Sequence, residues 1–206
     1  MTIRYHRNDL PDLSNYQGVT AVAVDTETLG LNPHRDRLCV VQLSPGDGSA
    51  DVVQIDRGQK TAPHLARLFT DPSVTKIFHF ARFDVAVLYQ YLGIEVAPVF
   101  CTKIASKLVR TYTDRHGLKD ITRELLGVEL SKQQQSSDWA AEKLSDAQLA
   151  YAASDVLYLH ALQRQLEVML AREERTGFAN ACFDFLPTRA RLDLIGWDED
   201  DIFAHS

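Results

Sequence analysis

Four carboxylates and one tyrosine stand in three separated stretches of this 206-residue chain. Asp25 and Glu27 lie in Val22-Ala23-Val24-Asp25-Thr26-Glu27-Thr28, and Asp84 follows Phe78-His79-Phe80-Ala81-Arg82-Phe83. Tyr151 and Asp155 share the segment Tyr151-Ala152-Ala153-Ser154-Asp155-Val156. Each acid borders an apolar stretch, where an unpaired charge is costly to bury. A cluster of hard oxygen ligands suits a pair of magnesium ions, and such a pair assists phosphodiester cleavage.

Taken singly, the three stretches are ambiguous. Asp25 and Glu27 leave the same face of a strand if the pleat continues through Thr26. Asp-x-Glu is also an ordinary polar strand end feeding a turn at Thr28-Leu29-Gly30. Asp84 follows a buried strand and opens a helix, so it is either a cap or first-turn acid favoured by the helix dipole, or a group at the strand's carboxyl end, where α/β sheets present active sites. Tyr151 and Asp155 are four apart and share a helix face. Asp155 interrupts the apolar stripe of Leu149, Ala152, Val156 and Leu159 and needs a partner: a metal, Tyr151 or an arginine.

The elements that must position these groups can be read from apolar periodicity. Strands are expected from Thr20 to Asp25, over Leu38–Leu43, over Asp51–Ile55 and over Lys76–His79, with a short edge strand interrupted by Pro98 within Val96–Phe100. Pro45-Gly46-Asp47-Gly48-Ser49 marks a hairpin between the second and third. Leu65, Leu68 and Phe69 mark a helix face, and a helix runs from Asp84 to Leu92, ended by Gly93. Beyond Thr102 the pattern is helical, with stripes at Ile104, Leu108, Val109 and at Leu118, Ile121, Leu125, Leu126, the latter closed by Gly127. Ser145-Asp146-Ala147-Gln148 has the form of a capping box and starts one long helix reaching toward Leu170. Strands followed by helices, with strand–helix crossovers between, indicate an α/β three-layer domain with a mixed sheet. After Gly177 the periodicity fades into an apolar tail containing Pro187, and Asp198-Glu199-Asp200-Asp201 reads as a solvated acidic end.

Composition sets broad limits. The chain is 45% hydrophobic and 24% charged, which is ordinary for a globular domain with a sizeable core. No apolar run approaches a membrane helix, and the N-terminal residues lack the pattern of a secretory signal. Three widely spaced cysteines, Cys39, Cys101 and Cys182, point to reduced thiols and a cytoplasmic location. A net charge of −6 runs against a broad nucleic-acid face, but residues 103–132 are +3 (seven cations against four acids). An enzyme gripping only a strand end needs few phosphate contacts.

In order, Asp-x-Glu after the first strand, Asp after a later one, and Tyr-x-x-x-Asp near the carboxyl end match the three motifs of DEDD-superfamily exonucleases of the tyrosine subtype. His116-Gly117-Leu118-Lys119, Leu130-Ser131-Lys132, Gln135-Ser136-Ser137-Asp138-Trp139 and Leu144-Ser145-Asp146-Ala147-Gln148 extend the resemblance to ribonuclease D, over roughly residues 18–170. The resemblance implies a ribonuclease H-like fold with a five-stranded mixed sheet. It implies two divalent ions, Mg2+ or Mn2+, held by Asp25, Glu27, Asp84 and Asp155, with Tyr151 orienting the attacking water. Thr28, Leu29, Leu31, His79, Phe83, Lys132, Gln135 and Trp139 are expected at the substrate. Leu29, Leu31 and Trp139 have plain core packing as the alternative, and His79 a satisfied structural role. Cys101-Thr102 stands where related sequences often have Asp-Thr, so a role supporting the site from behind, or a structural one, is expected there.

The implied reaction is 3'–5' removal of 5'-mononucleotides from single-stranded 3' ends of structured RNA, such as tRNA precursors. Two alternatives stand beside it: a DNA exonuclease with the same chemistry, and a non-catalytic nucleic-acid-binding protein on the same fold. Residues 1–177 are expected to form the exonuclease domain and 178–206 a C-terminal extension. The expected partners are RNA or DNA 3' ends and no membrane, with the chain a monomer or weak dimer.

Overall fold

The computed structural model describes residues 2–131, 133–134 and 136–205. Lys132 and Gln135, both expected at the substrate, lie outside the described residues.

Six strands form one sheet: β1 (Thr2–Arg7), β2 (Ala21–Thr28), β3 (Leu38–Ser44), β4 (Ser49–Gln54), β5 (Thr75–Phe78) and β6 (Val99–Cys101), in the order β1-β4-β3-β2-β5-β6. In the middle of the sheet β3 runs antiparallel to both β2 and β4, whereas β1 joins β4, β5 joins β2 and β6 joins β5 in parallel. The sheet is mixed as expected, with one strand more. That strand, β1, alternates Ile3 and Tyr5 with Arg4 and His6, too polar a run to announce itself. Its partner is the fully buried Asp51 of β4, which accepts from Arg4 (2.7 and 2.8 Å), His6 (2.7 Å) and Tyr16 (2.6 Å). A buried acid satisfied from three sides docks the edge strand.

The helices are α1 (Pro63–Phe69), α2 (Ala81–Leu92), α3 (Thr102–Val109), α4 (Leu118–Leu126), α5 (Asp146–Leu157), α6 (Leu159–Arg172) and α7 (Thr176–Leu192). They flank the sheet: α5 lies over β3, β4 and β2, α6 meets β2, β5 and α3, and α2 packs on β3, β5 and β6 beneath α7. The capping box at Ser145 and Gln148 is formed on both sides. The single long helix expected after it is two helices that meet at Tyr158. No glycine or proline marks the break; α5 follows the sheet while α6 turns to cover α3. The tail expected to lose regularity after Gly177 is helical instead, burying Ala179, Phe183, Leu186 and Ala190 at helical spacing with Pro187 tolerated inside. No described helix is long and apolar enough to cross a membrane.

Candidate active site

Asp25 and Glu27 sit on β2, a strand buried at Val22, Ala23 and Val24 and paired with β3 on one side and β5 on the other. A register shift between Glu27 and Thr28 ends the regular ladder where the strand meets the cleft. Asp84 lies in the first turn of α2, where the helix dipole favours an acid. The helix cap itself is Phe80, in left-handed backbone with φ 67° and no side-chain hydrogen bond, so Asp84 is not the cap. Asp155 projects from α5, one turn beyond Tyr151. Sheet and helices thus deliver all five groups to one cleft of about 750 Å³.

Within it, Asp25, Glu27 and Asp155 each offer an oxygen, and these oxygens lie within 4.8 Å of one another. Asp84 lines the same cleft outside that close set, its Oδ1 accepting from Thr26 Oγ1 at 2.6 Å. Gln42 Nε2 donates to Asp25 Oδ2 at 2.8 Å. Burial raises every one of these carboxyls. Asp25 is pushed up to about 7, Asp155 to about 8 with Asp25 adding to burial, and Glu27 to about 10 with Asp25, Asp155 and Asp84 adding to burial. Asp84 is also held well above the usual carboxylate range, by burial and then by Asp25. Among the described residues no basic side chain takes part in these shifts. Acids crowded together, with no described basic side chain paired to them, form a site of high negative potential built from oxygen donors, which a hard divalent ion fits. Tyr151 is held protonated, chiefly by burial and then by Asp155, Glu27 and Asp25.

The other expected residues line this cleft too: Thr28, Leu29, Leu31, His79, Phe83 and Trp139. Leu29 and Leu31 are 51% and 85% exposed, which rules out the core alternative for both. Trp139 is buried, in a small core with Cys39, Val40, Val52, Leu144 and Ala152, and stacks at a tilt on Tyr151 with centroids 6.0 Å apart. It therefore belongs to both core and cleft wall. His79 is satisfied by Thr102 Oγ1 at 2.9 Å and is pushed down to about 3, by burial and then by Lys103, so it is neutral. Thr102 in turn donates to Phe78 O at 3.1 Å, and Cys101 is buried.

Sequence reasoning missed several cleft residues. Phe80 and Lys103 share the wall, with Lys103 Nζ 4.4 Å from the Phe80 ring centre. Gly117, Leu118, Lys119 and Asp120 bring the start of α4 to the rim. Gln42, buried behind the cleft against Asp25, carried a signal, a polar residue inside a largely apolar strand; Phe80 carried none, since its exposure follows from backbone conformation.

The match to a family model described as 3'-5' exonuclease spans residues 10–171. Ribonuclease D of Acidiphilium cryptum is 40% identical over 157 residues, covering 75% of this chain and 39% of that protein. The chain spans about two fifths of the length of the curated relatives it matches. Brucella melitensis NrnC is alike over 100% of both chains with a TM-score of 0.97, at 70% identity in its structure with bound Mg2+ and 71% in its structure bound to pGG. Escherichia coli RNase D, an exoribonuclease involved in structured RNA processing, is 27% identical, with a TM-score of 0.72 over 83% of this chain and 45% of that one. This chain therefore belongs to the 3'-5' exonuclease family of hydrolases, in the ribonuclease D-like part of the DEDD superfamily.

Proposed function

We propose that the chain is a 3'–5' exoribonuclease that releases 5'-mononucleotides from single-stranded RNA ends by a two-metal-ion mechanism. One observation carries the reading: Asp25, Glu27 and Asp155 converge within 4.8 Å, and among the described residues no basic side chain pairs with them. Asp25, Glu27, Asp84 and Asp155 would hold two divalent ions, Mg2+ or Mn2+. Bound there, the ions would supply Lewis-acid polarisation of the phosphodiester and a lowered pKa for the attacking water. Tyr151, protonated and beside Asp155, orients that water by hydrogen bonding and is not its base. Water attacks phosphorus, the bond to the upstream 3' oxygen breaks, and a nucleoside 5'-monophosphate leaves. Thr28, Leu29 and Leu31 stand at the mouth, where exposed apolar side chains contact the terminal sugar and base without reading sequence. Neutral His79 and Phe83 line the same wall.

The cleft has the volume of a small-ligand site rather than of a long groove, which fits a strand end. NrnC was solved bound to pGG, which favours short ribonucleotides among the substrates. The likeness to ribonuclease D favours the 3' tails of structured RNA, such as tRNA precursors. Residues 1–177 would carry this domain and 178–206 an extension packed on it.

The test is digestion of matched RNA and DNA oligonucleotides, and of a dinucleotide, with Mg2+, Mn2+ or chelator, products identified by mass. Stepwise 5'-mononucleotides from RNA, absent with chelator and absent for Asp25→Asn, are expected. No nucleotide release with either ion ends the reading; faster release from DNA reassigns the substrate.

A further inference from the structure

Gln42 is fully buried at the centre of β3, between Val41 and Leu43, in a strand with no exposed residue. An apolar residue of similar volume is what this environment favours, because a buried amide costs free energy unless each of its groups is paired. Only one side of this amide is paired to a side chain. Nε2 donates to Asp25 Oδ2 at 2.8 Å, while Oε1 is buried with no donor. Its orientation is fixed by its neighbour: an ionised carboxylate only accepts, so the NH2 must face it. Gln42 is the register partner of Asp25 across the β2–β3 ladder, so its side chain rises from the sheet beside the carboxylate with little freedom to turn away. The same amide also favours the ionised form of Glu27.

We infer that Gln42 is a positioning residue for the reaction: its amide fixes the rotamer of Asp25 and, with it, the spacing of the Asp25–Glu27 pair toward a divalent cation. The inference rests on the reading of these acids as cation ligands. Without the amide, Asp25 and Glu27 repel one another and relax apart, so cations bind less tightly to acids that are all still present. Supporting groups behind metal ligands typically change metal affinity or activity by about 10- to 100-fold. The orphaned Oε1 adds a second expectation. Replacing the amide by an apolar group removes an unpaired acceptor along with the donor to Asp25, so the two changes offset and the metal-free fold stays near wild type.

The experiment compares wild type with Gln42→Met and Gln42→Leu, two apolar fillings of different shape, so that one badly packed variant does not decide the matter. Mn2+ binding by calorimetry, melting temperature with and without Mn2+, and kcat and KM on short RNA are measured on each. Expected are a metal-free melting temperature near wild type, Mn2+ affinity lower by roughly tenfold or more, and kcat lower by about 10- to 100-fold with KM nearly unchanged. A folded variant with wild-type Mn2+ affinity and kcat overturns the role of Gln42. Wild-type protein that binds no Mn2+ instead overturns the cation-site reading beneath it.

Discussion

Thr26 Oγ1 donates to Asp84 Oδ1 at 2.6 Å, joining the middle residue of Asp25-Thr26-Glu27 to the acid in the first turn of α2. Two sequence motifs 58 residues apart are thereby fixed to each other by one hydroxyl. Thr26 and Asp84 are both buried, and the bond favours the ionised form of a carboxyl that burial pushes the other way. Thr26→Val keeps the shape and removes the donor. A hydrogen bond to a charged group contributes about 1.5–3 kcal/mol. The variant is expected to melt lower and to lose about tenfold or more in kcat, since Asp84 is then free to turn. Calorimetric melting and steady-state kinetics check both; wild-type values in each would remove the link.

The crowded acids make stability depend on pH and cation together. Asp155 is raised to about 8 from an ordinary 3.8, with burial the larger cause. A carboxyl raised by folding contributes stability that is full below its unfolded pKa and lost as pH rises through its folded value. Asp155→Asn removes this loss, so in chelator the variant should exceed wild type in melting temperature, by a margin that grows from pH 5 to pH 9. The margin is on the order of a few kcal/mol at most. Adding Mg2+ should raise wild type, and raise it more at high pH, while leaving Asp155→Asn nearly unmoved. A margin that shrinks with rising pH contradicts the assignment of these shifts.

Tyr151 is raised by burial and by three neighbouring acids, so its phenol keeps its proton throughout the working range. Its part is to hold water, and Trp139 packed at 6.0 Å keeps the ring in place. Tyr151→Phe should lower kcat on the order of 100-fold with cation affinity unchanged. Calorimetry with Mn2+ alongside the kinetics separates the two. An equal loss of cation affinity would make the tyrosine part of the ion site instead.

Much of this architecture was legible because the residues that build it act locally. Val22–Val24 and Leu38–Leu43 are apolar runs bounded by turn residues, and Ser145 with Gln148 is a cap that needs only its own helix. The acids were legible as charges set in apolar surroundings. What escaped depends on tertiary partners. β1 is a strand because Asp51 receives Arg4 and His6; α7 persists through Pro187 because Phe183 and Leu186 are buried by their neighbours. Thr26 points at Asp84 only once α2 is laid beside β2. Leu29 and Leu31 look like core residues by type, and the loop that carries them turns them outward.

That loop rests on a close approach between Gly30 and Asp36. A Cβ on Gly30 would lie 2.3 Å from Asp36 Oδ2, a distance no side chain tolerates. Asp36 is buried and organises the loop: it accepts from Asn32 N at 3.0 Å and from both nitrogens of the Arg35 fork at 2.7 and 2.8 Å. The Arg35 hydrogen bonds, helped by Asn32 N, hold its carboxyl down at about 2. Gly30→Ala must push Asp36 off these donors and release Leu29 and Leu31 from the cleft mouth, while Asp25, Glu27 and Asp155 stay where β2 and α5 put them. The expected result is a KM raised severalfold, kcat and Mn2+ affinity close to wild type, and faster proteolysis within residues 29–37. Leu31→Ala should raise KM without the proteolysis, because an 85% exposed side chain carries little of the fold. If Gly30→Ala instead lowers kcat with KM intact, the loop acts on the acids, and the separation drawn between substrate mouth and carboxylate cluster is wrong.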